Sequence, residues 1–385
     1  MNNNNRFSNE ILRIVNGALV LDIDKVRNYT AFLADRLDKD GDKFTADRLR
    51  KALEETDHQL RPAGAKFADV LPVDSESRFP LIEHIELKSL NEQPLILQSE
   101  QWDTVNEFMS VAKSHALLDA ENIGGSVSLL MYGPPGTGKS RLARYISKEL
   151  GMELYIAKLD GLISSYLGST AKNIRALFDY ASKRPCVLFL DEFDAIAKLR
   201  GDNLEMGELK RVVNSFLQNL DSFGPQSIIL AATNHEGLLD SAVWRRFSYR
   251  IELGFPTEEL RAKMWDQFIK PIKFQAHDLE MLVDLSEGFS GSDIQEVCRR
   301  VNRQRITMNH EPKLSDVFQV LQNIGIGEGR ERRFLSAMRG KDVEYIAAAL
   351  RERNLKLYSH AALANLLGIS KTTAFRLVRK GGDTN

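Results

Sequence analysis

Gly133-Pro134-Pro135-Gly136-Thr137-Gly138-Lys139-Ser140 matches the phosphate-loop pattern G-x-x-x-x-G-K-[ST], and its reading decides the fold. Gly133, Gly136 and Gly138 let the backbone bend so that successive amide N–H groups face inward and form a nest for phosphate oxygens. Lys139 adds a full positive charge suited to the β- and γ-phosphates of a nucleotide, and Ser140 offers a hydroxyl to Mg²⁺. The flanks agree with the motif. Val127 to Tyr132 reads as a buried strand and Ser140 to Leu150 as an amphipathic helix, giving strand, loop and helix in the required order.

Working outward, 91 to 256 alternates strand with helix, which predicts an α/β, doubly wound sheet of parallel strands. Glu153 to Ala157 and Cys186 to Leu190 are its next strands. The latter ends in Asp191-Glu192, placing two acids at the carboxyl edge where such sheets bind ligands. Asp191 is expected to hold Mg²⁺ together with Ser140, and Glu192 to polarise the attacking water as general base. Ser227 to Ala232 reads as a fourth buried strand, followed by Thr233-Asn234, whose amide is suited to orienting that water. Arg245 and Arg246 are adjacent cations suited to a γ-phosphate, where a guanidinium offsets the charge that develops during transfer.

Taken together, Gly133 to Ser140, Leu188 to Glu192, Ala231-Ala232-Thr233-Asn234 and Ala242 to Phe247 resemble the AAA+ ATPases of the AAA group. Arg245-Arg246-Phe247, with no intervening Pro-Gly, is most similar to the spastin, katanin and fidgetin branch. The resemblance covers about 91 to 310. It implies a P-loop NTPase fold that hydrolyses ATP with Mg²⁺, using Gly133, Pro134, Pro135, Gly136, Thr137, Gly138, Lys139 and Ser140 as Walker A and Asp191 with Glu192 as Walker B. Asn234 is then sensor 1, and Arg245 and Arg246 are fingers acting on the next subunit of a hexamer. Arg211 to Leu217 with Leu220 to Phe223 is similar to the family's inter-subunit signalling segment, and Gly291-Ser292-Asp293 to its small-domain motif, implying a helical lid at 257–325. Tyr166-Leu167-Gly168 looks like the pore loop that grips polypeptide, although Ser169-Thr170 stands where the family commonly has an acidic residue. An aromatic beside an aliphatic intercalates between the side chains of a threaded chain.

The two ends carry other signals. Helical stretches at about Asp24 to Asp38 and Lys43 to His58 flank the turn Asp40-Gly41-Asp42, and Leu33, Leu37, Leu49 and Leu53 give the spacing of a helical hairpin. Within an N-terminal domain of 1–90 this hairpin either docks a partner or covers its neighbour. At the other end, 326–385 reads as a basic three-helix module. Residues 330–380 hold twelve Lys/Arg against four Asp/Glu, a local +8 inside a chain whose net charge is -1. Ala364, Leu367, Gly368, Ile369, Ser370 and Leu377 fit a helix-turn-helix, which would offer Lys371, Thr372, Thr373 and Arg376 to DNA. A basic three-helix module can equally hold a protein.

Composition sets the remaining bounds. The 385 residues are 43% hydrophobic and 27% charged, ordinary for a globular protein of two or three domains. No apolar run reaches the roughly 20 residues of a membrane span, and the Asn-rich start lacks a signal-peptide core, so a cytoplasmic protein is expected. Cys186 and Cys298 read as packed thiols. The expected activity is that of a ring-forming motor on a protein substrate, serving a separately encoded protease or other effector. The alternative is a DNA-recruited regulator of the mobile-element or phage-defence kind.

Overall fold

The computed structural model of this chain describes residues 7–19, 23–57, 71–74, 78, 80–90, 94–121, 127–159, 167–183, 186–195, 206–222, 228–324, 335 and 337–381. These residues form two compact units. One comprises Met1–Leu95, Ser99–Gly133 and Lys139–Leu253, and the other Ile96–Gln98, Pro134–Gly138 and Gly254–Asn385.

The first unit is built on a six-stranded sheet of order β1-β3-β4-β5-β2-β6, from β1 (Glu83–Ile85), β2 (Val127–Tyr132), β3 (Glu153–Lys158), β4 (Cys186–Asp191), β5 (Ile228–Thr233) and β6 (Tyr249–Glu252). The pairs from β3 to β6 are parallel, and β1 adds an antiparallel edge through His84 opposite Tyr155. That edge comes from residues ahead of position 90. Leu188 and Leu190 of β4, with Ile229 and Ala231 of β5, pack toward Ile174, Leu177 and Phe178 of α6 (Leu167–Ser182) and Phe216 of α7 (Met206–Ser222). The alternate side chains Leu129, Met131, Phe189 and Leu230 are fully buried too, on the face covered by α4 (Ser99–Ala120) and α5 (Lys139–Leu150). A strand enclosed on both faces must be apolar throughout, which is why β2 to β5 read as continuous runs. The chain leaves β2 for β3 and returns to flank β2 with β5 and β6, so the strand order reverses at β2.

The N-terminal piece is a helical trio, α1 (Ser8–Leu19), α2 (Ile23–Lys39) and α3 (Lys43–Asp57), closed by Leu33, Leu37 and Ala46 with Phe7, Ile14 and Leu49 against them. It sits on the sheet-bearing body. Asn9 Nδ2 donates to the Lys113 carbonyl at 2.9 Å, and Asn28 Nδ2 to that of Lys183 at 3.5 Å.

The second unit is helical: α9 (Glu258–Phe268), α10 (Ala276–Leu285), α11 (Gly291–Met308), α12 (Leu314–Ile324), α13 (Val343–Arg353), α14 (His360–Leu367) and α15 (Lys371–Gly381), after the four-residue α8 (Ser241–Trp244) of the first unit. One apolar core runs through all of it, from Trp265, Leu282, Phe289 and Leu321 to Ile346, Leu350, Tyr358, Leu363 and Ala374. The 257–325 and 326–385 stretches therefore share a core. Among the described residues no helix is long and apolar enough to cross a membrane.

Candidate nucleotide site

β2 ends at Tyr132, and the chain then turns on Gly133 (φ 131°), Gly136 (φ 79°) and Gly138 (φ 110°) before α5 begins at Lys139. These left-handed conformations strain any residue with a Cβ. At Gly133 a Cβ would fall on the Leu253 carbonyl, and at Gly136 it would lie 2.6 Å from Ser290 Oγ. Within the second unit Thr137 Oγ1 donates to the Pro134 carbonyl at 2.9 Å, and the Ser292 N–H donates to the Gly136 carbonyl at 3.0 Å. Gly291-Ser292-Asp293 opens α11, where Ser290 and Asp293 cap each other's backbone N–H.

In the first unit Lys139 is 7% exposed and donates from Nζ to the Gly133 carbonyl at 2.6 Å. Burial pushes its ammonium down from 10.5 to about 8, while Asp191, Glu236 and Asp194 pull it back up. Ser140 Oγ lies 3.4 Å from Asp191 Oδ2, so a hydroxyl and a carboxylate converge as a hard oxygen pair of the kind Mg²⁺ takes. The other Asp191 oxygen accepts the Glu192 N–H at 3.0 Å. Glu192 itself is held at φ 54°, a left-handed conformation rare outside glycine and characteristic of sites where geometry outweighs local comfort.

The segment after β4 is pinned to β5. The Phe193 N–H donates to the Ala232 carbonyl at 2.8 Å, and Thr233 Oγ1 donates to Asp194 Oδ1 at 3.2 Å in a buried pair. Asn234, half-buried, follows β5 directly. Sequence reading missed Asp194 and Thr233. The repeated acid in Asp191-Glu192-Phe193-Asp194 was the available signal. Phe193 stacks edge-on with Phe216 at 5.6 Å and Phe247 at 5.5 Å, linking the acids to the turn that carries both arginines.

Asp240 caps α8, accepting the Val243 N–H at 2.9 Å, and the chain then turns through Arg245 and Arg246. The structure separates these two. Arg246 is bound within its own chain, to Asp221 at 3.0 and 3.1 Å and to the Ala242 carbonyl at 2.7 Å. Arg245 is exposed, and among the described residues its guanidinium has no partner. Tyr166 lies outside the described residues, and Leu167 and Gly168 open α6.

Residues 129–255 match the family model "ATPase family associated with various cellular activities (AAA)". A relative described as an uncharacterized AAA family ATPase of Sinorhizobium fredii is 36% identical over 281 residues, covering 71% of this chain and 82% of the relative. The chain is an AAA family ATPase. A proteasome-activating nucleotidase of Saccharolobus solfataricus is 31% identical over 266 residues, 65% of this chain and 68% of that one. The crystal structure of the FIGL-1 AAA domain has the same fold, with a TM-score of 0.52 at 21% identity, covering 72% of this chain and 97% of that one.

This AAA family ATPase binds and hydrolyses ATP with Mg²⁺, and its residues fit both groups. The glycine turn leads into a helix N-terminus suited to phosphate, and Lys139 is a buried cation with room to gain from an anion. Mg²⁺ held by Ser140 and Asp191 would offset charge on the β- and γ-oxygens.

Proposed function

We propose that this AAA family ATPase works as a homo-oligomeric ring, a hexamer, in which hydrolysis at one protomer is completed by Arg245 of the next and drives polypeptide through the channel. Glu192 draws a proton from the attacking water, Asn234 orients that water, and Lys139 holds the phosphates. The observation that carries this reading is the contrast between the arginines. Arg246 is committed to Asp221 within its chain, whereas Arg245 is displayed on a turn that buried Phe247 anchors against Phe193. A cation exposed and, among the described residues, without a partner in its own chain suits a phosphate on a neighbour.

Tyr166, Leu167 and Gly168 belong to this proposal as the grip on the substrate. The likeness to a nucleotidase named for activating a proteasome supports a polypeptide substrate, with a separately encoded protease or other effector as the receiving partner. Cys186 and Cys298, both buried and outside any disulfide, suit the reducing cytoplasm.

Mixed assembly tests the ring. Arg245→Ala should lower turnover by about 10³-fold with ATP affinity retained, since the finger acts on developing charge. Arg245→Ala chains mixed with Lys139→Ala chains should regain part of the activity, because a composite site with both groups intact then forms. No recovery in mixtures whose co-assembly is demonstrated would refute action across the interface.

A second reading, an ATP-dependent regulator recruited to DNA, is favoured by one observation at the C-terminus. Gly368, at φ 67°, hands the chain from α14 to α15 within three residues, and Lys371, Thr372, Phe375 and Arg376 of α15 are all exposed.

A further inference from the structure

Resting on that second reading of α14 and α15, we propose that duplex DNA on α15 and nucleotide in the phosphate loop are coupled ligands, each tightening the other through α10 and the start of α11. The DNA-facing part is the exposed part of α15. Ser370 caps α15 by accepting the Thr373 N–H at 3.1 Å, and its hydroxyl pairs with that of Thr373 at 2.8 Å. The Thr373 hydroxyl is thus held in the cap, whereas Lys371, Thr372, Phe375 and Arg376 are exposed and pair at helical spacing as Lys371 with Phe375 and Thr372 with Arg376. Arg339, Lys341 and Lys356 are further exposed cations of the same basic stretch, whose local +8 complements a polyanion. A duplex is favoured over an acidic protein because a short turn and a capped second helix present Lys371 and Arg376 in the arrangement that enters a major groove.

The C-terminal helices grip α10 at both of its ends. Near its start, Asn365 Nδ2 donates to Asp278 Oδ1 at 2.8 Å. Near its end, Asp284 Oδ2 accepts from Arg353 Nε at 2.8 Å and from the Tyr358 hydroxyl at 2.6 Å, and Arg353 reaches on to Glu287 at 2.7 Å. Tyr358 is 0% exposed, and its burial together with the Asp284 contact holds its proton on far above the neutral range. From α10 the chain passes through Ser286, which receives the Trp265 indole N–H at 2.9 Å, to Ser290 and α11. There the Ser292 N–H holds the Gly136 carbonyl, and Ser290 Oγ leaves no space for a side chain at Gly136. Close-packed cores respond to displacement as discrete rearrangements rather than by yielding locally. A ligand that fixes α15 therefore also limits where Ser290 and Ser292 can sit, and the second ligand meets a body already ordered.

Linkage makes the effect reciprocal. Full-length protein, at a dilution where sedimentation shows single chains in every state, is titrated with a fluorescent non-hydrolysable ATP analogue with and without a duplex, and with the duplex with and without the analogue. The expected result is a tightening of about fivefold or more, equal in the two directions. Tyr358→Phe combined with Asn365→Ala, which loosens both grips while sparing the core and the α15 surface, should bring that factor toward one with each ligand still binding alone. Arg376→Ala should weaken the duplex and leave nucleotide affinity in its absence unchanged. Absence of duplex binding in every nucleotide state would remove the DNA reading and this proposal with it. Duplex binding that leaves nucleotide affinity untouched would keep the DNA reading and overturn the coupling. Coupling that survives this double substitution would show that the Tyr358 and Asn365 hydrogen bonds do not carry it.

Discussion

At the scale of single residues, two groups of the proposed nucleotide site, Lys139 and Glu192, are held away from their ordinary states. Lys139 carries its charge while buried, and its value of about 8 against 10.5 in an exposed lysine has two consequences of opposite sign. Between these values the unfolded chain binds more protons than the folded one, so the ligand-free protein should gain stability as pH rises through that window. Nucleotide behaves the other way. Phosphate oxygens favour the ammonium, so binding above about pH 8 takes up a proton, and the ATP dissociation constant should rise by up to about tenfold per pH unit. Calorimetry in buffers of different ionisation enthalpy measures that uptake, and Lys139→Arg, which keeps its charge, should flatten the profile. A flat profile in the unaltered protein would contradict a depressed lysine. Glu192 tells a parallel story through its backbone. At φ 54° a carboxylate side chain is retained where glycine would be more comfortable. Glu192→Gly should abolish hydrolysis yet leave stability unchanged or raised by up to about 1 kcal/mol, whereas Glu192→Gln should bind ATP and lose about 10²-fold or more in turnover. Thermal melts beside turnover assays separate the two, and a strongly destabilised Glu192→Gly would show that the conformation carries no strain.

Individual elements differ in how plainly the sequence announces them, and the difference follows from what each one faces. β2 to β5 and α5 were legible because strands enclosed on both faces are apolar runs and because the glycine turn fixes where strand becomes helix. β6 was not. Only Ile251 of Tyr249-Arg250-Ile251-Glu252 is buried, so an edge strand here looks like a surface loop. α1 inverts the usual pattern. Glu10 and Arg13 are buried, Glu10 in an ion pair with Arg36 and Arg13 over the Tyr29 ring, while Ile11, Leu12 and Val15 are exposed. Periodicity would have turned the wrong face inward. In the C-terminal turn the backbone has a stereochemical requirement. Gly368 takes a left-handed cap, and a Cβ there would come within 3.3 Å of Ser315. Gly368→Ala should therefore cost about 1–2 kcal/mol, and Ser370→Ala about 1 kcal/mol through loss of its cap, both read from denaturant midpoints at constant slope. Wild-type midpoints for Gly368→Ala would mean that the turn does not need glycine.

On the scale of the whole molecule, what the sequence could not show is that its C-terminal helices complete the core of the helical unit. A local charge of +8 and a helix-turn-helix pattern read as an appendage, because both belong to the surface, whereas shared burial leaves no motif. Ile346, Leu350, Tyr358, Leu363 and Leu366 lie in one cluster with Trp265, Leu282, Phe289 and Leu321. Deleting residues 341–385 would strip one wall from that cluster and leave Asp284 without Arg353 and Tyr358. Losing each large buried side chain costs about 2–5 kcal/mol, while a folded domain commonly holds only about 5–15 kcal/mol in total. The truncated chain should thus lose ATPase activity, bind a hydrophobic dye and melt early, although none of the proposed catalytic groups lies in the deleted part. Lys371→Ala and Arg376→Ala, confined to the exposed face of α15, should keep the melting temperature and basal turnover. Duplex binding should instead weaken, with the slope of log affinity against log salt reduced by about one for each phosphate no longer neutralised. A truncation that retained full turnover and melting temperature would mean that the shared core contributes little. That outcome would restore the picture of a tethered DNA module and remove the physical basis for coupling DNA to the phosphate loop.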